Sequence, residues 1–84
     1  MTHFWADGLT VDMRTNHSSV PTALHWQQRW HGVQVIYDCW RIDSNWWRVR
    51  IWHDYYIFTT DSGLLLIVYQ DLLTGDWFLL RLYD

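Results

Sequence analysis

Five histidines, one cysteine and a cluster of arginines among tryptophans are the residues of this chain whose types could do chemistry. The histidines, His3, His17, His25, His31 and His53, raise the question of a metal first. Their spacing fits neither a Cys/His zinc pattern nor a His-Glu-x-x-His helix, so structural or surface histidines are the simpler reading. His25 and His31 come nearest to a pair, because a turn over residues 28 to 32 would let them face one another, but a third ligand is not evident. Cys39 sits beside Trp40 with no base or oxyanion donor close in sequence, and in an apolar strand it reads as a small buried hydrophobe. His53-Asp54 has the composition of a catalytic pair, yet neighbours in a strand point to opposite faces and would not meet. Four isolated glycines and the absence of lysine leave no phosphate loop and no Schiff-base chemistry. No catalytic residue, cofactor or metal is expected, and the chain is not expected to be an enzyme.

The segment from Arg41 to Trp52 is the best functional candidate. Arg41, Trp46, Trp47, Arg48, Arg50 and Trp52 set arginines among indoles against a single acid, Asp43. Three readings fit. Aromatic faces stack on unpaired bases while arginine meets phosphate, which is single-strand nucleic-acid binding. Tryptophan and arginine also dominate the hot spots of protein interfaces. The plainest reading is structural: the arginines cover indole faces and pair with Asp38, Asp43 and Asp54.

Charge weighs against nucleic acid. Six arginines and nine aspartates carry a net charge of −3, too acidic for a domain that grips a duplex by bulk charge. Residues 1 to 53 hold five Arg and four Asp, whereas residues 54 to 84 hold one Arg and five Asp, so any basic site lies in the first part. A lone cysteine makes no intrachain disulfide, which fits a reducing compartment, and the cytoplasm is the expected location. No apolar run is long enough to span a bilayer as a helix, and the opening residues lack a signal-peptide profile, so no membrane association or export is expected.

The elements that must position these residues are strands. Eight tryptophans, five tyrosines and three phenylalanines stand in 84 residues with no lysine or glutamate, and such a composition disfavours helix surface and favours sheet. Leu9, Val11 and Met13 alternate with Thr10, Asp12 and Arg14, and Leu24 and Trp26 with His25 and Gln27. Arg29 to Gly32 is expected to turn into a strand over Val33 to Ile42, where helical spacing is also present but β-branched and aromatic residues crowd the segment. Asp43-Ser44-Asn45 breaks the pattern, and Trp46 to Thr60 resumes it with an interruption near His53-Asp54. Asp61-Ser62-Gly63 turns into Leu64 to Gln70, and Thr74-Gly75-Asp76 into Trp77 to Tyr83, with Phe78, Leu80 and Leu82 facing the core. The expected fold is all-β: a small antiparallel meander of five to six strands, curled or closed into an SH3-like barrel over residues 9 to 84, after an N-terminal tail over 1 to 8.

The succession Trp40-Arg41, Trp46-Trp47, Asp54-Tyr55-Tyr56, Gly63, Tyr69-Gln70-Asp71, Thr74-Gly75, Trp77 and Arg81-Leu82-Tyr83-Asp84 resembles a tryptophan-rich bacterial domain of unknown function. That domain is free-standing in actinobacteria and Chloroflexi and related to the C-terminal segment of the mutasome polymerase-like subunit ImuB. Family members place an acidic, Gly/Pro-containing loop after the tryptophan pair, where this chain has Arg48-Val49-Arg50-Ile51-Trp52. A basic residue commonly precedes the two aspartates that here follow His53 and Gln70. The resemblance implies a conserved small fold and an association with DNA-damage tolerance, and it supplies no catalytic residues.

A chain this small removes only about 60 to 65% of its unfolded surface from water, so eight indoles cannot all be core. The expectation is a non-catalytic interaction module that docks a protein partner, such as a mutasome or polymerase subunit, with single-stranded nucleic acid as the alternative ligand. An exposed patch with at least two of Trp30, Trp46, Trp47, Trp52 and Trp77 is expected, and with it a homo-oligomer when no other partner is present.

Overall fold

The computed structural model describes residues 2–46 and 49–83, leaving aside the side chains of Asp7 and Trp46. Six strands follow in chain order: β1 (His3–Thr15), β2 (Pro21–Trp26), β3 (Arg29–Trp46), β4 (Val49–Thr60), β5 (Leu65–Asp71) and β6 (Trp77–Tyr83). Each pairs antiparallel with the next, and β6 returns to β1, so the meander closes into a barrel in the order β1-β2-β3-β4-β5-β6. Closure lets a single sheet bury one face around a single core.

That core comprises Leu24 of β2, Phe58 of β4, Leu66 and Val68 of β5, and Trp77, Leu79 and Leu82 of β6. Val11, Met13, Val33, Ile36 and Tyr56 pack around it, and Trp5 and Trp26, crossing edge to face with centroids 5.6 Å apart, add to one side. Among the described residues, buried polar side chains are paired. The His31 ring takes a hydrogen bond from or gives one to Ser62 Oγ through Nδ1, and its Nε2 lies 3.1 Å from the Trp26 carbonyl. Because a carbonyl only accepts, Nε2 carries the proton and Nδ1 accepts from Ser62. Thr60 Oγ1 contacts Ser62 Oγ at 2.9 Å and accepts from the Leu64 N–H at 3.1 Å, so the Asp61-Ser62-Gly63 turn is tied to the barrel interior.

Several expectations are corrected by register. Residues 3 to 8, expected as a tail, are the first half of β1: His3 lies opposite Leu82 and Phe4 opposite Arg81. The pairing slips between Phe4 and Leu9, and Gly8, at φ 81°, threads past Phe78 and Tyr69. The β2–β3 turn is at Gln27-Gln28, two residues before the expected place, which sets His25 opposite Trp30 and His31 opposite Leu24. The two histidines therefore face opposite sides of the sheet and form no pair. In β6, Trp77 and Leu79 face inward where Phe78 and Leu80 were expected, because Leu80 is skipped in the pairing and reverses the alternation before Leu82. Asp43-Ser44-Asn45 does not break the chain, and neither does His53-Asp54. The β3–β4 ladder starts at Val33 opposite Thr60 and runs without a register shift from Asp38 opposite Ile57 to Trp46 opposite Val49. Cys39, expected as a buried hydrophobe, is exposed. It lies on β3 where β2 no longer flanks that strand, since β2 and β3 pair only as far as Gly32.

Candidate docking face

The β3–β4 ladder outruns its neighbours. Among the described residues, β5 joins β4 only from His53 onward and β2 leaves β3 after Gly32, so residues 42–46 and 49–52 form a two-stranded arm. The Leu72 N–H, donated to the Trp52 carbonyl at 2.8 Å, anchors its base. The alternation Arg50-Ile51-Trp52 against Ile42-Asp43-Ser44 makes this arm two-faced, since paired residues in an antiparallel ladder share a side.

One side carries the charges. Arg41 lies opposite Asp54, Asp43 opposite Trp52 and Asn45 opposite Arg50. The Arg41 guanidinium grips Asp54 with both teeth of its fork, Nε to Oδ1 at 2.7 Å and Nη2 to Oδ2 at 3.0 Å. Hydrogen bonding to Asp54 and its charge hold Arg41 protonated beyond its ordinary range. Arg50 reaches Asp43 at 3.2 Å through Nη2. Both guanidinium groups also approach the Trp52 ring, Arg41 at 6.0 Å and Arg50 at 5.1 Å from its centroid. Of the expected site residues, the structure thus brings Arg41, Arg50 and Trp52 together on one side. Trp46 ends β3 opposite Val49, while its side chain, Trp47 and Arg48 lie outside the described residues. Of the remaining indoles proposed for an exposed patch, Trp77 is buried in the core, and Trp30 is at the far end of β3 beneath the Arg14 guanidinium at 4.2 Å.

The other side, which sequence reasoning did not single out, is apolar. Trp40 stacks on Tyr55, Tyr55 on Tyr69 and Tyr69 on Phe78, with centroids 5.3, 5.3 and 5.0 Å apart. These are register neighbours on β3, β4, β5 and β6, so the rings form one row across the outside of the barrel. His53 joins it, 4.4 Å from Tyr69 centroid to centroid and 3.1 Å from the Tyr55 hydroxyl through Nδ1. Gly8 lies against Phe78 and Tyr69 at the β6 end, so close that a Cβ there would stand 2.8 Å from the Phe78 Cβ. At the β3 end the row opens onto the arm, where Trp40 and Ile42 are each 38% exposed, Ile51 38% and Val49 59%. The signal for this face was present as the apolar residues interleaved with the Arg/Trp set, at a period of two.

Beside Trp40 a surface depression of about 280 Å³ is lined by Cys39, Trp40, Arg41, Asp54, Tyr55 and Tyr56. Partial burial pushes the Tyr55 and Tyr56 hydroxyls above their ordinary range, so near neutral pH they are hydrogen-bond donors rather than bases. The Arg41 charge in this lining is answered by Asp54. Among the described residues no three His, Cys, Asp or Glu side chains cluster as metal ligands, and no helix is long and apolar enough to cross a membrane. No family model matches the chain, and no curated protein or solved structure matches it.

Proposed function

We propose that the chain is a non-catalytic interaction module that docks a protein partner on the outer face of its β3–β4 arm. The observation that carries this reading is the apolar surface of Trp40, Ile42, Val49 and Ile51, all exposed on an arm that no other strand covers among the described residues. An aromatic anchor flanked by aliphatic side chains, rimmed by His53 and Ser44, has the composition of a hot spot with a polar border. The resemblance noted above directs that role toward DNA-damage tolerance, with a mutasome or polymerase subunit as the partner.

Two observations favour protein over single-stranded nucleic acid. Arg41 and Arg50 are each engaged by an aspartate, so phosphate must displace a carboxylate to reach them. The inner rings of the aromatic row spend their faces on one another, leaving edges rather than platforms for bases. The test is a pull-down from the native host with wild-type chain, Ile51→Asp and, as a control at an exposed site in the β5–β6 turn, Leu73→Asp. The partner is expected to be retained by wild type and Leu73→Asp and lost by Ile51→Asp. Saturable oligonucleotide binding near physiological salt, followed by tryptophan fluorescence and abolished by replacing Arg48 and Arg50 with alanine, would establish the nucleic-acid reading instead.

A further inference from the structure

We infer that the free edge of β3 pairs with β3 of a second copy of this chain, by a two-fold axis through Ile42. The surface is the rim of the sheet rather than its outer side, and it shares only Ile42 with the docking face just described.

Beyond Gly32, β3 has β4 on one side and, among the described residues, no strand on the other. An open edge of this length is a template for another strand. Its lower part is blunted: the pairing skips Gln34 and Tyr37, which kinks the edge, and the Asp38 carboxylate takes the Cys39 N–H at 2.8 Å. That bond also reveals the parity of the edge. A Cys39 N–H satisfied by Asp38 points away from β4, so in a regular antiparallel strand Arg41, Asp43 and Asn45 also aim their N–H and C=O groups outward. Above Cys39 the pairing with β4 continues without a bulge to Trp46. The upper edge is thus regular, with backbone groups unspent on β4.

The side chains along it select one register. A two-fold axis through Ile42 sets Arg41 opposite Asp43 of the second copy and Asp43 opposite Arg41 of the second copy, with Ile42 meeting its own equivalent. Paired residues then share a face, as antiparallel pairing requires, and the row across the junction reads Asp54, Arg41, Asp43 of the second copy, with alternating sign. Axes through Arg41 or Asp43 would set like charges directly opposite, which is unfavourable. The interface is isologous, so it closes at two copies and does not propagate into a fibre.

The test is light scattering and sedimentation across a concentration series. Wild type is expected to form a dimer that weakens as salt is raised. Arg41→Asp and Asp43→Arg are each expected to be monomeric, since each sets like charges opposite, and their equimolar mixture is expected to dimerise because the pairs are then complementary again. Circular dichroism on each variant checks that the barrel is folded. If either charge reversal unfolds it, Asp43→Asn, which removes the charge and keeps the shape, is expected to weaken the dimer several-fold. A wild type that stays monomeric at its highest soluble concentration overturns the inference, as does a dimer indifferent to Asp43→Asn and abolished by Ile51→Asp. Loss of the dimer with partner capture intact would leave the docking reading standing, and the converse would leave this one.

Discussion

The β2–β3 turn offers a perturbation whose size follows from backbone geometry. Trp26 pairs with Arg29 across Gln27 and Gln28, which have φ of 51° and 67°. A two-residue hairpin with positive φ at both central positions matches the twist of its strands and is ordinarily filled by Asn-Gly. Glutamine pays for its Cβ there, at about 1 to 2 kcal/mol per left-handed residue. Gln27→Asn with Gln28→Gly relieves most of that cost, while glycine returns about 0.4 to 1 kcal/mol through the freer unfolded chain. A net gain of about 1 kcal/mol is expected. With about 2.1 cal/mol/K of unfolding entropy per residue, 84 residues lose about 0.18 kcal/mol of stability per degree. The melting temperature should therefore rise by about 6 °C, read by circular dichroism and checked as a higher urea midpoint with unchanged slope. Gln28→Val, a β-branched residue at the same φ, should lower it. A double variant that melts at or below the wild-type temperature would refute the argument, because it would mean that the turn does not hold these dihedrals in solution. The turn lies at the opposite end of β3 from the arm, so partner capture and self-association should not change.

Gly8→Ala should destabilise by about 1 to 2 kcal/mol or more, since φ is 81° and the new methyl would stand 2.8 Å from the Phe78 Cβ. Gly75→Ala, at φ 82° with open space around it, should show the backbone cost alone, and equal urea midpoints for the two would contradict the packing of β1 on the aromatic row. Burial raises the Tyr55 and Tyr56 pKa values in the folded state, so the folded chain holds protons that the unfolded chain has released. Their contribution is fully present below the ordinary tyrosine pKa of about 10 and declines as pH rises through the folded values. Absorbance at 295 nm should show an alkaline component in the folded protein that moves to lower pH in urea and shrinks in Tyr56→Phe. A native titration that matches the denatured one would exclude it.

The aromatic and β-branched composition, with helix-favouring lysine and glutamate absent and turn residues spaced along the chain, was enough to specify an antiparallel all-β domain, because those preferences are local and repeat in every segment. The alternation of Val11 with Met13 and of Leu24 with Trp26 likewise marked core-facing positions, whereas Leu9, read in the same alternation, is exposed. What the residues did not disclose was phase. Leu80 skips a pairing partner and turns β6 over, so Trp77 and Leu79 enter the core in place of Phe78. A bulge leaves no reliable mark in a run as uniformly apolar as Trp77 to Leu82, since either phase offers apolar side chains to the core. The same limit applied to the candidate site. The Arg41 to Trp52 cluster was legible as arginines beside indoles, and its aspartate partners were among those named in advance. Its other face was not, because which apolar residues remain exposed depends on how far β3 and β4 run beyond β2 and β5. Strand length relative to neighbours is set by closure of the whole barrel. Only the tertiary structure decides it.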